Sequence, residues 1–318
     1  MAIRPSTNTD YTGITSSYVD GSKFIPELYS KKVLKNFYIG TMYKECFNTD
    51  YEGEIKGQGS KVHIRKTPEI NVTAYAVGDE LTYQVPTKDA TSLTIEQGFY
   101  SAFQIDDVNK AQADIDLINM FAADAAERIK IAVDKEVFEY ISTLAAPANQ
   151  GAAAGAISGS VNLGVLAGTG TTLEITKDNA IDFIVDINSV LTEANIPTEG
   201  RWLILPVWFT ALLQKGDLKR ADVTGDSTGV IRTGAIGKIA QTTIYESNNL
   251  FTATDGDGDT ATYVIAGTKE ACTFASQIDK VDTLQIEKSF GSYWRTLFIY
   301  GRAVVQPTAM AVGIVKKG

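Results

Sequence analysis

The chain has 318 residues, 44% of them hydrophobic and 21% charged, with a net charge of −9 and two cysteines. That length can bury a sizeable core, as one elongated domain or as two lobes. The negative balance excludes a dedicated nucleic-acid reader, because duplex affinity comes from clustered Lys and Arg, and Cys46 and Cys272 are too few for a disulfide framework or a zinc site.

Residues 1–20 are polar and turn-rich. Pro26 and Glu27 then suit the first turn of a short helix, which Leu28, Val33, Leu34, Phe37 and Tyr38 continue at helical spacing. This arm is too small for a core of its own. Its apolar face must dock elsewhere on the subunit or on a neighbour. From Ser60 to Phe103 the period changes to two, since Lys61–Lys66 and Ser92–Glu96 alternate polar and apolar. The pattern predicts a long β-hairpin with an irregular tip around Pro68, Tyr75, Gly78, Leu81, Tyr83 and Pro86. Few large residues lie on either face, so the hairpin cannot stand alone and its missing contacts are expected on another chain.

The stretch 106–144 dominates the pattern. Val108, Ala111, Ile115, Ile118, Ala122, Ala125, Ile129 and Ala132 recur in steps of three and four, which predicts one amphipathic helix. Asp106 and Asp107 would supply its N-terminal cap, Pro147 would stop it, and its length would be roughly 58 Å. Such a spine has other parts of the subunit lying across it. Small residues fill 152–172, which reads as a flexible surface loop. Thr176 is placed as the cap of a second helix running through Ile184 and Leu191, Trp202–Leu205 as a buried strand, and Pro206 as the start of a third helix through Leu213. Residues 216–237 read as a mobile loop. Strands at Thr242–Tyr245 and Thr262–Ile265 flank an acidic turn, and the chain from Ala271 onward is mostly strand. No internal repeat appears, and no linker divides the chain cleanly.

Sites of chemistry are sought with little return. His63 is the single histidine, far in sequence from either cysteine, and is expected at a half-buried strand position rather than in a catalytic set. Asp255, Asp257 and Asp259 start like a calcium loop, but Ala266 stands where the bidentate Glu belongs, so a hairpin turn is expected. Gly168-Thr169-Gly170 lacks the third glycine of a dinucleotide loop. No catalytic, cofactor-binding or metal-ligating residues are expected, and a hydrolase built on the acidic turn is the weak competitor. No apolar run reaches membrane-span length, and nothing in Met1–Ser6 directs export.

Several segments, in order, resemble the major capsid (coat) proteins of tailed bacteriophages, which have the Hong Kong 97-type fold. Phe103-Gln104-Ile105-Asp106-Asp107-Val108-Asn109-Lys110-Ala111-Gln112 is similar to the start of that family's spine helix, and Phe24-Ile25-Pro26-Glu27-Leu28 to its N-arm motif. Arg232–Gly237 followed by Tyr245–Leu250 resembles its axial-domain pattern, and Tyr300–Val305 its closing segment. The resemblance implies an α+β fold with an N-arm at 1–50, an extended β-hairpin E-loop at 51–102, a peripheral domain at 103–147 and 271–301 carrying the spine helix, and an axial domain at 148–270 and 302–318. It implies a major capsid protein that self-assembles into pentamers and hexamers, forming the icosahedral shell around the double-stranded DNA genome of a tailed phage. Phe24, Tyr29, Phe37, Tyr75, Leu81 and Tyr83 are the first candidates for subunit-interface contacts. The partners implied are further copies of the chain, a separate scaffolding protein, a portal, and packaged DNA held without sequence preference, with assembly in the host cytoplasm and no membrane. The alternative that the same fold allows is an encapsulin-like compartment holding a cargo enzyme.

Overall fold

The computed structural model describes residues 41–53, 61–68, 70–78, 80–85, 89–107, 112, 116–166, 172–216, 237–286 and 290–318. Along the chain the elements are α1 (Tyr43–Cys46), β1 (Lys61–Lys66), β2 (Asp89–Asp106), α2 (Leu117–Ser142), β3 (Leu173–Ile175), α3 (Ala180–Glu193), β4 (Arg201–Leu205) and α4 (Val207–Lys215). There follow β5 (Lys238–Ile239), β6 (Thr242–Glu246), β7 (Thr252–Thr254), β8 (Thr260–Thr268), β9 (Cys272–Gln285), β10 (Gly291–Val304) and β11 (Met310–Lys317).

The period-two segments form a four-stranded antiparallel sheet in the order β1-β2-β10-β9. Its first ladder runs from Lys61 opposite Thr94 to Lys66 opposite Asp89. β2 outlasts this partner and pairs with β10 as far as Asp106 opposite Gly291. Asp106 closes that ladder, and Asp107 directly after it is already helical. The described helix α2 spans 26 residues from Leu117 to Ser142, about 39 Å. Its cap is Asp116, whose carboxylate accepts from the Asn119 amide. Val108, Ala111 and Ile115, placed on the stripe from the sequence, lie outside the described residues.

α2 lies against this sheet through aromatic contacts, with Phe103 of β2 edge-on to Phe121 and stacked on Trp294. Farther along, the buried stripe is Ala125, Ile129, Val133, Val137, Phe138 and Ile141. The C-terminal half of α2 thereby reaches both sheets, packing with Phe274 and Tyr300 of the first and with Trp202, Ile204, Ile265 and Val312 of the second.

The second sheet is mixed, in the order β3-β11-β8-β4-β6-β5, with β7 also on β8. All five residues of β4 are buried because both its faces are covered. Trp202 and Ile204 face α2, while Leu203 and Leu205 face α3 and α4 together with Phe183, Ile187 and Phe209. Arg201, 2% exposed, donates to the carbonyls of Asn188, Ile196 and Pro197 and to the Thr192 hydroxyl at the C-terminal end of α3. The Ile196 and Pro197 carbonyls lie just beyond the helix, and the negative end of its dipole beside them helps offset the burial of the cation.

Two local expectations change. The cap position of α3 is Asn179 rather than Thr176, with Asn179 accepting from the Thr176 amide and donating to the Glu174 carbonyl. The described part of the small-residue stretch after α2, residues 152–166, is tied down: Ala154 and Leu163 are fully buried, and the Ile314 amide donates to the Leu163 carbonyl at 2.8 Å. Most of the expected loop 216–237 lies outside the described residues.

Candidate assembly surfaces

The strand pattern stops at Lys66, and residues 70–78 and 80–85 make no strand pairing. Across them the apolar side chains stand in solvent. Tyr75 is 67% exposed, Leu81 66% and Tyr83 89%, and Ile70, Val72, Val77 and Val85 stand out with them. The Asn71 backbone amide donates to the Gln84 side chain at 2.9 Å and brings the two limbs of this loop together. So many large apolar groups exposed together are what a protein–protein contact would cover. Phe24, Tyr29 and Phe37 lie outside the described residues.

A second exposed surface lies on the outer face of the first sheet. Tyr100, 78% exposed, stands opposite Leu297, and Leu284 stands opposite Tyr293. Between them Asp282 takes a hydrogen bond from Arg295 at 3.0 Å and an ion pair from Lys280 at 3.2 Å, and these two cations hold its carboxyl below the usual range. The surface is apolar with one charged cluster in its middle.

Beneath these surfaces sits a buried junction with no apolar pattern to announce it. Asp134, fully buried on α2, accepts from the backbone amides of Met42 and Tyr43 at 3.1 and 3.0 Å and from the Asn249 side-chain amide at 2.7 Å. Burial drives its carboxyl upward, and those three neutral donors only partly counter this. Two residues farther on, Glu136 accepts from the Tyr300 hydroxyl at 2.7 Å and pairs with Arg302, whose guanidinium lies 3.9 Å from the centre of the Tyr140 ring. Burial, and then the neighbouring Glu136, raise the Tyr300 hydroxyl above its ordinary value. These two carboxylates tie α2 to α1, to β10 and to the segment after β6.

The acidic turn is closed from within. Lys316 of β11 lies 3.2 Å from Asp255, 3.6 Å from Asp257 and 2.9 Å from Asp259. Burial pushes the Asp255 carboxyl up, but the amides of Asp259 and Asp257 and the ammonium outweigh it and hold it below its ordinary value. The turn's cation is thus the chain's own lysine. His63 is exposed on β1 opposite Ser92, not half-buried. Cys46 and Cys272 are buried free thiols, and burial pushes Cys272 up to about 12, which keeps it protonated and unreactive. Among the described residues no group of His, Cys, Asp and Glu side chains could hold a metal ion.

Against known proteins, a family model described as phage capsid protein matches residues 90–313. No curated protein shows significant sequence similarity to the chain. A solved structure from Mycobacterium phage Che8 is similar at 28% identity, covering 91% of this chain and 96% of that one with a TM-score of 0.73. The capsid of cyanophage Pam1 shares the fold at 10% identity and TM-score 0.71, covering 95% and 99%. That of cyanophage P-SCSP1u does so at 14% identity and TM-score 0.65, covering 96% of each.

Proposed function

This chain belongs to the phage capsid protein family, and from that premise we propose that it assembles as pentamers and hexamers into the icosahedral shell enclosing the double-stranded DNA genome of a tailed phage. It is a shell-forming structural protein of the virion capsid, with the α+β fold of phage capsid subunits. Copies of the chain are therefore its principal partners.

The observation that carries the proposal is the exposure of Tyr75, Leu81 and Tyr83 together in the segments 70–78 and 80–85. Heterologous contacts of such a loop with the next subunit propagate around a ring, and curvature closes the rings into a shell. In this reading residues 1–50 form the N-arm, 51–102 the E-loop, 103–147 with 271–301 the peripheral domain, and 148–270 with 302–318 the axial domain. The outer sheet face around Tyr100 and Leu297 is the surface on which a neighbour's loop would rest. A separate scaffolding protein would guide closure in the host cytoplasm and a portal would take one vertex. With a net charge of −9 the chain would meet packaged DNA without sequence preference.

The experiment is negative-stain electron microscopy, with size exclusion, of the chain expressed with and without its candidate scaffold. Rings of five and six subunits or closed shells are expected. A monodisperse monomer under both conditions would overturn the assembly reading. Shells that co-purify with an enzyme and no nucleic acid would replace the genome with a cargo.

A further inference from the structure

β9 is the outermost strand of the first sheet, and its two ends differ. At its start the segment after α1 covers it, because the Asn48 amide donates to the Cys272 carbonyl and the Phe274 amide to the Asn48 carbonyl, both at 3.0 Å. From Lys280 to Gln285 the strand pairs with β10 on one side, and no other described backbone group bonds to its outer edge. Val281 there is 52% exposed. Unpaired amides and carbonyls in extended geometry are a template for another strand, and a lone lysine guards such an edge. Here the lysine is not alone. Asp282 follows Lys280 on the same face at 3.2 Å, so one charge of each sign flanks Val281.

We propose that this edge pairs antiparallel with the same edge of a second copy, about a two-fold axis at Val281, joining two four-stranded sheets into one continuous sheet. In that register Lys280 stands opposite the partner's Asp282, and Asp282 opposite the partner's Lys280. Opposite charges directly across a ladder stabilise it. Moving the axis by one residue sets Lys280 against its own copy in one direction and Asp282 against its own copy in the other, and facing like charges destabilise a ladder. Arg295 already holds Asp282 from the strand behind at 3.0 Å, so the charges would line up as Arg295, Asp282 and the partner's Lys280 across three strands. An axis perpendicular to the sheet also keeps outer face with outer face, and the apolar surface of Tyr100, Leu297, Tyr293 and Leu284 runs on into the second copy. The inference goes beyond the shell reading. Heterologous contacts of the exposed loop propagate around a ring, whereas this contact is isologous and would tie a subunit of one ring to a subunit of the next. A pairing this short buries little area, so free subunits meet weakly and the pair has to be trapped.

The test uses the full chain carrying Val281→Cys, the native thiols being buried. In the proposed register the two introduced residues lie about 4.5–5.5 Å apart between Cα atoms, within reach of a disulfide. Diamide, which takes two protons and two electrons from the pair of thiols, should give a two-chain band on a non-reducing denaturing gel, with the 281–281 link located by mass spectrometry. Thr283→Cys is the control, because its two copies would lie four residues apart along the strands, about 14 Å. Crosslinking of Thr283→Cys as fast as that of Val281→Cys would overturn the register, and single chains with alkylatable thiols from Val281→Cys would overturn the pairing. Adding Lys280→Glu to Val281→Cys sets acid against acid at both positions and should slow dimer formation roughly tenfold; an unchanged rate counts against the charge pairing. Particle formation by microscopy is scored separately. Shells in which the Val281→Cys thiols stay free would sink the strand pairing and leave the capsid assignment standing.

Discussion

Asn249 donates a 2.7 Å hydrogen bond to the Asp134 carboxylate across 115 residues of sequence, and both side chains are buried. The other carboxylate oxygen takes the amides of Met42 and Tyr43. One side chain on α2 therefore fixes the start of α1 and the segment after β6 at once. Asp134→Ala would leave three donors buried without an acceptor. The expected loss is about 3–5 kcal/mol of unfolding free energy, read from urea denaturation of unassembled subunits. Asp134→Asn keeps an oxygen for the two backbone amides and should lose less than half of that.

The pH dependence of this junction has a definite sign. Burial raises the Asp134 carboxyl above its ordinary value, so the folded chain binds this proton more tightly than the unfolded chain does. Its contribution is greatest below the ordinary carboxylate value and is lost as pH rises through the elevated folded value. The advantage of wild type over Asp134→Asn should therefore shrink as pH climbs through that window. Parallel denaturation series at several pH values measure it, and an advantage that grows on raising pH would contradict the assignment.

Glu136, Tyr300 and Arg302 form the second tie between α2 and β10. Tyr300→Phe removes the hydroxyl that Glu136 accepts at 2.7 Å and should cost about 1–2 kcal/mol. A double-mutant cycle with Glu136→Gln should return a coupling of about 1 kcal/mol, because the two groups touch directly. Additive losses would show that the contact is incidental.

Much of this architecture is legible in the sequence, and the parts that are not have physical causes. Lys61–Lys66 and Ser92–Glu96 alternate cleanly, and the structure pairs them. Trp202–Leu205 reads as a buried strand and is buried on both faces. The end of β2 is less legible, because Asp106 pairs with Gly291 almost two hundred residues away and local periodicity carries no trace of that strand. Asp134 was missed for a related reason. A polar residue inside a helical stretch reads as solvent-facing, and its three donors come from distant segments. The acidic turn looked like an unfinished cation loop, and the missing partner, Lys316, stands on another strand. Only the candidate contacts at Tyr75, Leu81 and Tyr83 carried their own signal, as apolar residues in a segment too poor in neighbours to bury them.

Lys316 closes the turn of Asp255, Asp257 and Asp259, and Lys316→Met should lower the thermal midpoint by leaving three carboxylates facing one another. Asp255 is held below its ordinary value, so its contribution is present above the ordinary carboxylate pH and is lost as pH falls through the depressed folded value. The deficit of the variant should accordingly be clear near neutral pH and shrink on acidification. It should also be larger at low salt, where repulsion among the acids is least screened. Thermal melts across pH and salt read all three trends.

The exposed loop separates folding from assembly. Tyr75→Ser, Leu81→Ser and Tyr83→Ser each alter a side chain that is at least 66% exposed. Unfolding free energy of the isolated subunit should therefore move by no more than about 0.5 kcal/mol. If the loop binds a neighbouring copy, the same changes remove apolar area that is buried only in the shell, at about 25 cal/mol per Å². The loss repeats at every equivalent contact, so a small change per subunit multiplies around a ring. The triple variant should thus melt like wild type as a subunit while its threshold concentration for particles, followed by light scattering, rises at least roughly tenfold. Normal assembly would place the shell contacts elsewhere, with the outer sheet face at Tyr100 and Leu297 next to be altered. A destabilised subunit would mean instead that the loop packs on its own chain.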